Sequence, residues 1–287
     1  MRLSLLGSGS SGNVAYIEAT QSLGTGRSTR LLIDAGLSRS EIEARLLGVD
    51  PLLTLGDLDA VLVTHDHSDH AGCARLLGRP IFATQGTLRA CGFEGTRVID
   101  GTPFVVGSLT VHPVLLPHDA VETVGYVIQE DNTRIGILTD CGHDDPRVAE
   151  AYAGCDALIL ETNHDATLLK YGPYPPSLKR RVGGRLGHLS NDQAASLLRM
   201  ISKAGSPPKV VIAAHLSQAN NRPALAKSAL DRVLGQMGGR AGRVLLATQA
   251  RGAPTLTVER GRVRIEPAKH EQLTFEFAPQ KPEAVLR

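Results

Sequence analysis

The chain has 287 residues, 42% hydrophobic and 3% aromatic, and its 31 Lys and Arg against 29 Asp and Glu leave a formal charge of +2 beside ten histidines. Such a length admits one large or two ordinary domains with a sizeable core, and the near-neutral balance excludes a global basic field, so any affinity for phosphate must be local. The lack of Trp argues against base-stacking platforms, and no signal-peptide core or membrane-length apolar run is present, which predicts a cytoplasmic protein with no membrane partner.

Strands are expected over residues 3–6, 14–19 and 31–34, with a Gly/Ser/Thr turn over 23–29. Between the first two lies Gly7-Ser8-Gly9-Ser10-Ser11-Gly12-Asn13, a formal G-x-G-x-x-G with Asp34 about twenty residues on, as a dinucleotide-binding loop requires. That loop must open a helix, whose N-terminus holds the pyrophosphate. Val14-Ala15-Tyr16-Ile17-Glu18-Ala19 offers neither a cap nor a 3.6-residue stripe. An antiparallel meander is expected instead, and the dehydrogenase reading fails.

Ser38-x-x-Glu41 is a capping box for a helix over 42–47 that Gly48 should stop. Further strands are expected over 60–64, 81–83, 110–116, 124–129, 134–139, 157–161, 210–214, 244–248 and 256–259. Pro146 opens a helix over 148–153, and Ser190-x-x-Gln193 opens another whose stripe Ala194, Leu197, Leu198 and Ile201 ends at Gly205. Pro223 opens the last, with Leu225, Ala229, Val233 and Met237 facing inward, while Pro173, Pro175 and Pro176 mark a loop. No linker divides the chain, so one domain over 1–277 is expected, two sheets with helices outside them, followed by a frayed tail over 278–287. Cys73, Cys91, Cys141 and Cys155 have no C-x-x-C spacing and read as reduced, buried small hydrophobes.

The chemistry concentrates at His65-Asp66-His67-Ser68-Asp69-His70, directly after the strand over 60–64. Three imidazoles and two carboxylates crowded into one turn are costly unless a cation is coordinated. His65 and His67, two apart, can face one ion, while the following turn sends Asp69 and His70 to a neighbouring position. Other strand candidates end the same way, delivering His118, Asp140 and His215. Functional groups gathering at one edge of a sheet are characteristic of ligand sites.

The segment THDHSDH resembles the H-x-H-x-D-H signature of the metallo-β-lactamase fold, and the resemblance runs from residue 1 to about residue 260. Within that superfamily GSGSSGN, LPHDAVETVGY, ETNHD, YPPSLKRRVGGRLGHLSN and AHLSQANN are similar to the bacterial YycJ (WalJ) group. The resemblance implies an α/β (α+β) fold, a four-layer αββα sandwich. It also implies two divalent metal ions, one on His65, His67 and His118, the other on Asp69, His70 and His215, with Asp140 bridging. Zinc, manganese and iron all suit such donors. Asp34 would orient a ligand imidazole through its free N–H.

With no positioned Ser or Cys nucleophile, the implied attacking group is a hydroxide between two ions, typically ~3.5–4 Å apart. Asp69 and Asp140 would serve that centre. His188, in Gly187-His188-Leu189-Ser190, would assist the leaving oxygen by likeness to phosphodiesterases of the superfamily; a helix-entry histidine bonded to backbone is the plainer reading. Lys179, Arg180, Arg181 and Arg185 are either a phosphate clamp or a solvated face. Ser8, Ser10 and Asn13 either contact an anionic substrate or belong to a permissive turn. His143 and His164 lie beside the expected centre in sequence.

The implied activity is metal-dependent phosphodiester hydrolysis, with a nucleic-acid substrate, DNA favoured, and exonuclease action. A small phosphodiester is the alternative suggested by the absence of a large insert between Glu161 and His188. Thioester or lactone hydrolysis and a non-catalytic metal-binding regulatory module are the others. Oligomeric state has no signature in the sequence.

Overall fold

The computed structural model describes residues 1–22, 27–237, 242–250, 252–259 and 261–266. The tail expected from 278 and residues 23–26 of the expected turn lie outside that set. The chain opens as the meander β1 (Arg2–Gly7), β2 (Val14–Ser22) and β3 (Ser28–Ile33), with Leu3 opposite Ile17 and Ile17 opposite Leu31. Helix α1 (Arg39–Val49) starts on the reciprocal Ser38/Glu41 box and runs through Gly48, where a stop was expected. Parallel strands β4 (Ala60–Leu62), β5 (Ile81–Thr84) and β6 (Thr96–Val98) extend this sheet, with short helices α2 (Ser68–Ala71) and α3 (Gln85–Cys91) between them.

The second sheet begins with antiparallel β7 (Phe104–Val106), β8 (Leu109–Leu116), β9 (Thr123–Glu130) and β10 (Thr133–Leu138). After α4 (Pro146–Ala151) comes parallel β11 (Ala157–Glu161), then α5 (Ala166–Tyr171), α6 (Pro176–Val182) and α7 (Asn191–Ala204). Parallel β12 (Val210–Ala214), α8 (Pro223–Gln236) and β13 (Arg243–Leu246) complete it. The chain then returns to the first sheet as the hairpin β14 (Leu256–Glu259) and β15 (Arg262–Ile265), β14 pairing with β1. The sheet orders are β15-β14-β1-β2-β3-β4-β5-β6 and β13-β12-β11-β10-β9-β8-β7.

Period-two alternation explains the layers, because successive side chains point to opposite faces. Leu3, Ile17, Leu31 and Leu62 meet Tyr126, Ile137, Ile159 and Ile212 in one core between the sheets. The intervening Tyr16, Leu32 and Val61 pack with Ile42 and Leu46 of α1, and Leu138, Leu158 and Val211 pack with Leu198, Ile201, Leu230 and Val233 of α7 and α8. The result is a four-layer αββα sandwich. Strands buried on both faces read as continuous apolar runs, which is why they were visible in the sequence.

Three further expectations need correction. The Pro-rich loop becomes a helix at Pro176, since proline at a first helical position loses nothing by lacking an N–H. Leu225 is 42% exposed, and Ala226 and Leu230 take the inward face of α8 with Ala229 and Val233. The strand expected over 244–248 is shifted to Arg243–Leu246. Among the described residues no helix is long and apolar enough to cross a membrane.

All four cysteines are free, with Cys73, Cys141 and Cys155 buried and Cys91 half-buried. Burial pushes the Cys155 thiol up to about 12 and raises the other three. Alkylation of the native protein, followed by intact mass, is expected to stop at one adduct, on Cys91, and to reach four only after denaturation. A native Cys141 or Cys155 adduct formed as fast as that on Cys91 would contradict this packing.

Candidate metal centre

Strands of both sheets end at one rim, and the backbone there is bent in a particular way. Asp34 and His215, immediately beyond β3 and β12, and Asp140, two residues beyond β10, have φ of 61°, 56° and 58°. Among the described residues only Asp131, in the β9–β10 turn, joins them as a non-glycine residue with positive φ. The left-handed conformation turns the chain sharply off the sheet. It is uncommon for side-chain-bearing residues, Asp and His tolerating it better than most, and its concentration at one rim makes that rim the candidate site.

Outward hydrogen bonds set the imidazole orientations. His70 Nδ1 lies 2.7 Å from Asp34 Oδ2, His118 Nδ1 2.9 Å from the Gly187 carbonyl and His215 Nδ1 2.8 Å from Glu161 Oε1. Each Nδ1–H is thereby donated away from the cluster, and each Nε2 lone pair is left facing into it. His65 has Nδ1 3.0 Å from Thr64 Oγ1, and its buried Nε2 has no hydrogen-bond partner. His67 turns its own Nδ1 inward, 3.4 Å from His118 Nε2.

Among the described residues four overlapping groups have their donor atoms within 4.8 Å of one another: the two expected triads His65/His67/His118 and Asp69/His70/His215, and the groups His65/His70/Asp140 and Asp140/Glu161/His188/His215. Asp140 stands between the two triads, with Oδ2 3.0 Å from His70 Nε2 and Oδ1 3.7 Å from His118 Nε2 and 3.4 Å from His215 Nδ1. Asp140 Oδ2 is buried without a hydrogen-bond partner. With His70 in its Nδ1–H form, two lone pairs confront each other at that point, and a proton or a cation must lie between them. Accordingly, against the opposing effect of burial, Asp140 and Asp34 push the His70 imidazole well above its ordinary range. Burial and the neighbouring His70 push His65 well below its own. Inward lone pairs, orphaned buried atoms and an all-imidazole and carboxylate donor set fit a divalent metal such as zinc, manganese or iron.

Two residues absent from the sequence-based set prove central. Glu161, fully buried at the end of β11, accepts from the Cys141 and Leu189 N–H groups at 2.9 and 3.1 Å and from His188 and His215 Nδ1 at 2.8 Å each. Although burial opposes ionisation, His188 holds this carboxyl at about 2, and in return, despite its own burial, the His188 imidazole sits at about 9. Asp119, after His118, places Oδ1 3.4 Å from His118 Nε2 and pairs with Arg181. Both continue the strand-end pattern that singled out their neighbours: Ala157-Leu158-Ile159-Leu160-Glu161 is the same apolar run closed by a ligand-type residue.

The remaining expected residues divide. Ser8 Oγ accepts the His215 N–H at 2.7 Å, and the Asn13 amide lies 2.9 Å from His70 Nε2. The Gly9, Ser11 and Gly12 N–H groups go to Asn13 Oδ1, Gln249 Oε1 and the Gly9 carbonyl, so these three donors are engaged by protein acceptors, two inside the loop and one outside it, while Ser10 is exposed. Lys179 donates to the Lys170 carbonyl and Arg180 is exposed, which leaves Arg181 as the member of that run touching the rim. Arg185 meets His143, whose Nδ1 is 2.9 Å from the Arg185 carbonyl. His164 is buried, and burial pulls it down to about 4.

The layers and the donor set together define a metallo-β-lactamase-fold hydrolase. Residues 29–216 match the family described as a beta-lactamase superfamily domain, and the chain belongs to that family. It is 32% identical over 250 residues to the exodeoxyribonuclease YycJ of Bacillus anthracis, covering 83% of this chain and 90% of the relative. Identity to the exodeoxyribonuclease WalJ of Streptococcus pneumoniae serotype 2 is 33% over 251 residues, covering 82% and 88%. The metallo-β-lactamase fold protein YhfI from Bacillus subtilis shares the architecture, with a TM-score of 0.67 at 16% identity over 88% of this chain and 98% of its own.

Replacing Asp34 by Ala removes the acceptor that fixes His70. The expected consequence is a fall in Zn²⁺ or Mn²⁺ affinity of about 10- to 100-fold, read by competition with a chromophoric chelator, at unchanged far-UV circular dichroism. Wild-type affinity in Asp34→Ala would show that His70 needs no such partner.

Proposed function

We propose that the protein is a dinuclear-metal-dependent phosphodiester hydrolase acting on DNA as an exonuclease. The observation that carries this reading is the pair of donor triads with Asp140 between them. The substrate class draws on the relatives, whose names give them as exodeoxyribonucleases at 32% and 33% identity over most of the chain.

In this reading His65, His67 and His118 would hold one ion and Asp69, His70 and His215 the other, with Asp140 placed between the two triads. Two divalent ions so held supply Lewis acidity, acidifying a water near neutral pH and neutralising charge on the attacked phosphoryl oxygens. The chain supplies the rest. Asp34, Gly187 and Glu161 fix the ligand imidazoles through their Nδ1–H groups. His188 gives one N–H to Glu161 and keeps Nε2–H for the leaving oxygen. The Glu161 carboxylate keeps His188 protonated at neutral pH, as a proton donor must be. Removal of the leaving alkoxide as an alcohol is then the step His188 serves.

That role has a signature in the leaving group. An alkoxide from DNA needs a proton far more than a nitrophenolate does, so His188→Ala should lose about 10²- to 10⁴-fold on an end-labelled duplex and little on bis(p-nitrophenyl) phosphate. Asp69→Ala should lose both activities with Mn²⁺ or Zn²⁺ present. Equal losses of His188→Ala on the two substrates would remove it from proton donation, and inertness of the metal-loaded wild type toward both would overturn phosphodiester chemistry.

A further inference from the structure

At the opposite ends of the strands from the metal centre, the open edges of the two sheets come together. Edge strand β13 of one sheet and edge strand β15 of the other line a groove of about 590 Å³. Four cations line it: Lys209, Arg243, Arg262 and Arg264. No carboxylate is among its lining residues. Among the described residues none of these four side chains makes a hydrogen bond or an ion pair, and all four are half-buried or exposed. Two carboxylates lie nearby without an ion pair to these cations: Glu259 faces Arg262 across the β14–β15 hairpin, and Asp156, whose Oδ2 accepts the Arg134 N–H at 3.1 Å, lies beside Gly261 of the lining, so four cations outnumber two anions.

Unpaired like charges gathered in one concavity repel one another, and on a chain of net charge +2 they form a local field that the composition alone conceals. Several arginines elsewhere are paired, Arg2 and Arg30 with Glu18, Arg39 with Glu43 and Arg181 with Asp119, whereas here four cations share one concavity without a carboxylate in its lining. Arg262 and Arg264, two apart on one strand, project from the same face about 7 Å from each other. Guanidinium forks spaced along a groove match a string of phosphates. A concave channel admits a nucleic-acid strand, whereas a flat lipid surface cannot enter it.

We propose that this groove is a second binding site, an exosite for a nucleic-acid phosphate backbone, separate from the metal centre. Lys209 and His215 flank β12, so the groove lies about 20 Å from the ligand cluster at ~3.3 Å per strand residue. A duplex advancing ~3.4 Å per base pair spans that distance in about six base pairs. That its occupant is the enzyme's own DNA substrate rests on the proposed function; affinity for the phosphate backbone does not.

The test compares the full-length wild type with Arg243→Glu/Arg264→Glu and with the milder Arg243→Gln/Arg264→Gln, using anisotropy of a labelled 20-base-pair duplex bearing phosphorothioate ends over a range of salt. Charge reversal is expected to weaken binding about tenfold or more and to lower the slope of log K against log salt by about 2, at ~0.9 per phosphate contact, with the Gln pair intermediate. Hydrolysis of bis(p-nitrophenyl) phosphate should stay within about twofold of wild type, since the groove is a Debye length or more from the metals. Unchanged duplex affinity and slope in the Glu pair would overturn the exosite, as would wild-type binding to anionic phosphatidylserine vesicles that alone is lost in the variant. The binding arm requires no turnover, so it reads the groove even if the phosphodiesterase assignment fails.

Discussion

Glu161 is fully buried, and removing a carboxylate from water costs several kcal/mol unless donors replace the lost hydration. Here four donors do so, two backbone N–H groups and two imidazole N–H groups. Those donors come from three separate segments: the turn after β10, the approach to α7 and the turn after β12. Burial alone would have raised the carboxyl, and the His188 charge instead keeps it ionised. One anion therefore fixes the relative positions of Cys141 beside Asp140, of His188 and of His215. The geometry of the rim depends on it more than on any apolar contact, because apolar packing is non-directional and cannot orient a ring nitrogen.

The same logic governs the rest of the cluster. Imidazoles tied outward by Nδ1 must present Nε2 lone pairs inward, and lone pairs crowded together are destabilising in the metal-free protein. His65 Nε2 is buried without a partner, at a cost of about 1–3 kcal/mol, and Asp140 Oδ2 is satisfied only when a proton lies between it and His70 Nε2, 3.0 Å away. A bound cation reverses the sign of both contributions, so folding and metal affinity are coupled through the same atoms. The left-handed turns at Asp34, Asp140 and His215 add backbone strain that the packed sheets beneath them hold in place.

Much of this was legible because the strands that carry it are buried on both faces. Continuous apolar runs ending in His or Asp located β4, β10 and β12 and the polar residues at their ends, and the Ser38/Glu41 and Ser190/Gln193 boxes located the starts of α1 and α7. Short edge strands such as β6, with two of three residues exposed, and β15 carry too little apolar periodicity to stand out. Glu161 escaped because a buried carboxylate is known only by the donors that reach it, and those lie at Cys141, His188, Leu189 and His215, brought together by parallel pairing of β10, β11 and β12. Asp119 escaped for a related reason, its partner Arg181 being on a helix that three prolines disguised as loop. Conversely, GSGSSGN was legible as a turn but not as a support, since the contacts of Ser8 with His215 and Asn13 with His70 span the whole fold.

The distribution of positive charge follows from these constraints. Near the rim, Arg181 is partnered by Asp119, which also faces His118 and His67, so that guanidinium is already engaged with the ligand cluster. Four cations without an ion pair also gather where the two sheet edges meet, at the opposite ends of β12 and β13. Screening at physiological salt, with a Debye length of about 8 Å, prevents a groove ~20 Å away from altering the metal centre through its field. An exosite there would act only on substrates long enough to touch both places, where binding at one end raises the effective concentration of the other. Selectivity for a polymer over a small ester can in this way reside in residues that never approach the reacting bond.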